Sequence, residues 1–321
     1  MLRLQYIQGH YTLTIKIFKV KVEILVKKLL LAIFGRCDKI FRGDFVTEQE
    51  LYEKWQHLTI RDNFIFSKVM EEYPNLCQEL LENILHIKIT RISYPEREKV
   101  LESRLDSKGI RLDVYVEDKS SNRSFDVEMQ ISNSDNLAKR MRYYQGLIDM
   151  DKLKHGEHYD ALGDTFIIFV CTFDRFKDGR HIYTFKETCT ENSAVKLGDG
   201  ATKIFLNTKG KLDDVSPDVK VFLNYVESGI VAGKFVTALN DAVEEIKSMR
   251  KGMKEYMTYE MTLLENRMAG REEGRAEERE NFVIKMLRKG TAIEDILELT
   301  ELPLKRIKEI AAQNSIELKA N

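Results

Sequence analysis

The strongest constraint on this chain is an alternating run from Gly109 to Ile131, GIRLDVYVEDKSSNRSFDVEMQI. Strand side chains point by turns to the two faces of a sheet. On a first strand Leu112, Val114 and Val116 therefore share one face, and Asp113, Tyr115 and Glu117 the other. Ser120, Ser121, Asn122 and Arg123 make a loose polar turn. Beyond it Val127, Met129 and Ile131 share one face, and Asp126, Glu128 and Gln130 the opposite one. A hairpin of this kind can set Asp113 beside Glu128 on the same side of the sheet. Two carboxylates so placed offer hard oxygen ligands to a divalent metal. Such a metal can turn water into a nucleophile and stabilise a phosphate in transfer.

The rest of the composition removes rival chemistries. A chain of 321 residues holds one sizeable domain with an appendage, or two small domains. Its 51 basic and 52 acidic residues nearly cancel, so a nucleic-acid surface would have to be local. Cys37, Cys77, Cys171 and Cys189 lie far apart without CxxC spacing. They read as free thiols of a cytoplasmic protein, not as zinc ligands or a disulfide framework. His57, His86, His155, His158 and His181 are scattered, and no Ser/His/Asp set, P-loop or GxGxxG run occurs. Nothing here calls for a small-molecule cofactor. The apolar patch Ile24–Phe34 is broken by Lys27 and Lys28. It falls short of the roughly 20 apolar residues that a membrane span needs, so no membrane partner is expected.

Four regions follow in order. Residues 1–46 are a basic extension, read either as an extra element docked on the domain or as a start upstream of the native one. A basic membrane-surface helix is a third reading. Residues 47–235 mix helix and strand signals. Thr47 and Glu50 have capping-box spacing, and helical periodicity runs to Leu85 with a break at Pro74, after which Asn75 caps a second helix. His86–Tyr94 alternates as a strand. A helix from Leu137 to about Leu153 places Arg140 one turn from Tyr144. Thr165–Phe173, TFIIFVCTF, suits a strand buried on both faces at the sheet centre. His181–Glu187 and Lys203–Asn207 read as two more strands, and Val219–Val226 as a helix ending near Gly229. Residues 236–280 form a charged helical linker in which Gly270 and Gly274, each costing about 1 kcal/mol relative to Ala, suggest a hinge. Residues 281–321 resemble a small helix-turn-helix tail. Its Lys305, Arg306 and Lys308 could meet phosphates, or its apolar face could dock on a second copy, the preferred reading because acids are as common there as bases.

Asp113, followed across a turn by Glu128-Met129-Gln130, looks like the PD-(D/E)XK nuclease core in the variant where Gln replaces Lys. LTIRDNFIFSKVM (58–70), KGIRLDVYVEDK (108–119), KRMRYYQGLIDM (139–150) and REEGRAEERE (271–280) together resemble the Rpn family of recombination-promoting nucleases, often labelled transposases. The likeness runs from about Leu58 onward. It implies an α/β fold: a restriction-endonuclease-like core, with a mixed central sheet flanked by helices, and a charged helical extension at the C-terminus. It also implies a DNA endonuclease dependent on Mg²⁺ or Mn²⁺. Asp113, Glu128 and the Met129 backbone carbonyl would hold the metal. Glu82, on the first core helix, is a further candidate ligand, with a merely solvated glutamate as the competing reading. Gln130 would stand where a lysine usually orients water and offsets phosphate charge, yet it has no charge to give. Arg140, or Lys139, would supply that charge from the next helix, unless Arg140 simply pairs with a surface acid. Asp126 could join the metal shell, but an exposed strand acid is the favoured reading. The implied partners are DNA and a second copy of the chain, met through the C-terminal helices. The rivals are a nuclease-fold protein that binds DNA or partners with little or no cutting, and a helical oligomeric scaffold.

Overall fold

A computed structural model describes residues 47–90, 92–93, 95–101 and 109–316. The expectations for residues 1–46 lie outside the described residues. Chain contacts separate a larger unit, Leu51–Glu260, from a second unit to which residues 47–50 and 261–316 belong.

The larger unit is built on a six-stranded mixed sheet in the order β1-β2-β3-β4-β6-β5. Its strands are β1 (Glu96–Leu101), β2 (Ile110–Asp118), β3 (Arg123–Gln130), β4 (Asp164–Cys171), β5 (Ile182–Phe185) and β6 (Ala201–Asn207). β3, β4 and β6 run parallel, while β1, β2 and β5 attach antiparallel at the two edges. β4 therefore sits inside the sheet, as its apolar run predicts. Ile168 and Val170 point into one apolar cluster, and Ile167, Phe169 and Cys171 into the other. The larger cluster is closed by α1 (Glu48–His57), α2 (Asn63–Glu72), α3 (Pro74–Leu85), α5 (Pro217–Ser228) and α6 (Lys234–Ser248). The smaller is closed by α4 (Leu137–Lys152), through Leu137, Met141, Leu147 and Ile148. The mixed sheet flanked by helices is the architecture expected above. Phe235, Val236, Leu239, Ala242, Val243 and Ile246 of α6 and Tyr256 of α7 (Arg250–Arg288) are part of this core.

Local signals explain several element ends. Thr47 and Glu50 close a reciprocal capping box: the Thr47 amide donates to Glu50 Oε2 at 2.7 Å and the Glu50 amide to Thr47 Oγ1 at 3.2 Å. Gly229 takes φ 72° to end α5, a left-handed position that suits glycine. α3 begins at Pro74 itself, one residue before the expected Asn75 cap, because proline fits the first helical turn.

Two expectations need correction. His86–Tyr94 is not a strand; among its described residues only an isolated bridge, Ile92 with Asp118, is formed. Ile89 is occupied instead by α3, its amide donating to Glu82 Oε1 at 2.9 Å and its carbonyl accepting from Gln78 at 2.8 Å. With those backbone groups spent, pairing is deferred to Glu96–Leu101. Nor is there a break at Gly270 and Gly274, since α7 runs through both.

In the second unit, the end of α7 packs with α8 (Ile293–Thr300) and α9 (Leu304–Gln313) around Val283, Met286, Ile296, Ile307 and Ile310. No helix among the described residues is long and apolar enough to cross a membrane.

Ile168 has no exposed surface and sits on the central strand. Ile168→Ala should cost about 2–5 kcal/mol through lost burial and a residual cavity, read as a lower urea midpoint.

Candidate active site

The acids gather where the hairpin comes apart. β2 and β3 pair from Asp118↔Arg123 to Val114↔Val127 and no further. On the other side the pairing of β1 and β2 steps from Arg97↔Val114 to Lys99↔Leu112, passing over Asp113. Glu98, which faces that gap, has φ 56°. Leu112 and Tyr115 lie in the same apolar cluster although three positions apart, so the strict alternation expected for β2 breaks at Asp113. The break frees backbone groups for the acids. The Met129 amide lies by the Asp113 carboxylate, and the Asp113 amide by the Glu128 carboxylate. Amide and carbonyl of one strand residue point the same way, so the Met129 carbonyl is also directed toward Asp113.

Helices supply the remaining groups. Asn63, the first residue of α2, donates from Nδ2 to Asp113 Oδ2 at 2.9 Å. From α4, Arg140 donates from Nη2 to Glu128 Oε2 at 3.1 Å and to the Tyr144 hydroxyl at 2.9 Å, and from Nη1 to Gln130 Oε1 at 3.1 Å. Gln130 closes the ring by donating from Nε2 to Glu128 Oε2 at 3.0 Å. The loop between Gln130 and α4 is pinned by Arg175, which donates to Asn133 Oδ1 at 3.1 Å and to the carbonyls of Ser134 and Asp135 at 2.7 and 2.9 Å. That brace sets the height of α4, and hence of Arg140, above Glu128.

The electrostatics are those of a site short of positive charge. Glu128 is 2% exposed and Asp113 8%. Burial first, and then the charge of Asp113, pushes Glu128 up to about 8; burial raises Asp113 to about 6 against the pull of the Met129 amide, Arg111 and Arg140. Glu128 Oε1 is buried with no hydrogen-bond partner. Arg140 is the cation in contact, and a third of its side chain remains open to solvent.

Asp126 corrects an expectation. It is fully buried rather than exposed, and neither carboxylate oxygen has a partner. Burial, reinforced by Glu128 and Asp113, holds it well above the ordinary carboxylate range. Glu82 is not brought to this cluster. Its carboxylate caps the chain after α3 through the Ile89 amide, with Gln78 and Lys88 at 3.5 Å. The α2 residue that does reach the acids is Asn63. Sequence reasoning missed it; its one signal was its place in the stretch LTIRDNFIFSKVM, where it read only as part of a helix. Lys139 is an exposed residue of α4.

Among the described residues no group of three or more histidine, cysteine and acidic side chains is arranged to hold a metal ion. Two carboxylates and a backbone carbonyl nonetheless suit a hard divalent cation, which commonly keeps several waters. The bare Glu128 Oε1 and the raised acids favour the same fit. Asp113, Glu128 and the Met129 carbonyl are the groups that would hold it.

A family model described as PD-(D/E)XK nuclease family transposase matches residues 62–210, a span that contains Asn63, Asp113, Glu128, Gln130 and Arg140. No curated protein and no solved structure matches the chain.

Because both acids titrate above their unfolded values, the folded protein keeps protons that the unfolded chain has released. Without metal, the contribution of these two acids to stability should be full below the ordinary carboxylate values of 3.8 and 4.5 and should be lost as pH rises toward about 8. Urea unfolding across that window measures the decline, and Glu128→Gln should flatten it.

Proposed function

We propose, from the match of residues 62–210 to the family model described as PD-(D/E)XK nuclease family transposase, that this chain is a divalent-metal-dependent DNA endonuclease of the recombination-promoting type. The observation that carries the reading is the meeting of Asp113 and Glu128 at the splayed end of β2 and β3, with a buried, unpartnered oxygen between protein groups that already supply their other bonds. A bound Mg²⁺ or Mn²⁺ supplies Lewis acidity at the phosphodiester and lowers the pKa of water.

The chain's own residues do the rest. Asp113 and Glu128 must both be ionised to hold the cation, so loading the site releases protons. Asn63 keeps Asp113 turned toward Glu128. Gln130 fills the position where family likeness expects lysine, and the missing charge comes from Arg140. An amide suits this division because it donates to Glu128 and accepts from Arg140 at once. A lysine there would have no acceptor to offer and would face a guanidinium. Arg140, a third of whose side chain is open to solvent, can meet the negative charge that builds on a phosphate during attack. DNA is thus the proposed substrate. Exposed Phe282, Leu299 and Leu304 on the C-terminal helices support the further proposal of contacts between copies.

Purified protein should nick supercoiled plasmid with Mg²⁺ or Mn²⁺ and not with a chelator. Asp113→Asn and Glu128→Gln should each lower the rate by about 100-fold or more, since each removes an ionised group that holds the cation. Retention of DNA at low salt without nicking would instead favour a binding protein on a nuclease fold.

A further inference from the structure

Building on that metal-dependent reading, we infer that Arg140 competes with the divalent cation for Glu128, and that Tyr144 is the seat to which Arg140 withdraws when the site is loaded.

The contacts around Glu128 show the competition. Oε2 accepts from Arg140 Nη2 at 3.1 Å and from Gln130 Nε2 at 3.0 Å, while Oε1 has no partner. A guanidinium therefore already occupies the carboxylate that a metal would use. At 2% exposure the carboxylate lies where solvent screens poorly, so two cations sharing it repel strongly.

Arg140 has somewhere else to go. Nη2 also donates to the Tyr144 hydroxyl at 2.9 Å. The guanidinium carbon lies 5.4 Å from the Tyr144 ring centroid and 5.5 Å from that of Phe169, within reach of favourable cation–ring contact. Tyr144 follows Arg140 by one helical turn and is itself buried, so this seat is fixed. A rotation of the long side chain can release Glu128 and keep Tyr144. The freed nitrogens then belong to a side chain that is already 33% exposed, and so can meet a phosphate from solvent. One residue thus neutralises the empty site and adds charge to the loaded one.

This arrangement gives the two properties opposite signs. A residue that merely shaped the site would weaken metal affinity and cutting together. Removing a competitor strengthens affinity while cutting falls.

Isothermal titration of the full chain with Mg²⁺ and with Mn²⁺, in the absence of DNA, tests it. Arg140→Gln should tighten the cation by about tenfold, the scale expected when a like charge is removed from a buried contact. Plasmid nicking by the same variant should fall. Tyr144→Phe, which removes the alternative seat, should weaken the cation by a few-fold. Cation binding by Arg140→Gln where the native chain binds none would also support the proposal. Unchanged or weaker affinity in a folded Arg140→Gln overturns it. If that variant does not fold, Tyr144→Phe decides: weaker affinity supports the competition and unchanged affinity overturns it. Failure of the native chain and both variants to bind any cation overturns the nuclease reading as well. Native nicking that is lost in Asp113→Asn, with affinity unmoved in Arg140→Gln, overturns the competition alone.

Discussion

The Glu128 carboxylate is the group on which the site depends. Its hydrogen bonds to Gln130 and Arg140 tie the end of β3 to α4, and its nearness to Asp113 ties β3 to β2. A buried charge is expensive unless it is bonded and paired. Here one oxygen is served twice and the other not at all. The folded chain holds this imbalance in place because the surrounding sheet is packed on both faces, with Ile167, Ile168, Phe169 and Val170 of β4 alternating into two apolar clusters. The unsatisfied atom is thus a property that rigid neighbours impose.

That frame also explains why the Gln at position 130 does not empty the site of positive charge. Lysine would bring its own cation on the strand. Here an amide stands on the strand and a guanidinium on the helix, and the proposed function divides the lysine's tasks between them. The separation requires α4 to be held at a fixed height, and Arg175 does so by taking up the acceptors of the intervening loop. Two positions of the strand and one of the helix then act as a unit, and changes at any of them should be strongly non-additive.

Much of the fold was legible because its signals are local. The capping box at Thr47, the two-sided apolar run of β4 and the glycine after α5 each follow from residues within a few positions. The pairing of Asp113 with Glu128 was legible for a similar reason, as a hairpin brings its own ends together. The failures arose where distant groups decide. His86–Tyr94 alternates like a strand, but Glu82 and Gln78 claim the backbone of Ile89. Asp126 alternates like an exposed acid, but α4 covers that face of the sheet. Asn63 is separated from Asp113 by fifty positions, and no period in the sequence joins them. Glu82 had the right chemistry on the wrong part of the fold.

Asp126 brings out the trade that this region makes. A fully buried acid with two unpartnered oxygens weakens the fold, and an apolar side chain of similar size would pack there at less cost. Burial, with the charges of Glu128 and Asp113, raises the proton affinity of Asp126, and burial with the charge of Asp113 raises that of Glu128. Three acids and one contacting arginine can coexist in so dry a place only while protons are kept on some of them. On the proposed reading, those on Asp113 and Glu128 would leave when a divalent cation enters. The cluster is therefore costly to the empty fold and, on the proposed reading, matched to a more positive occupant, a conflict between local stability and site chemistry of the kind that concentrates where a protein acts.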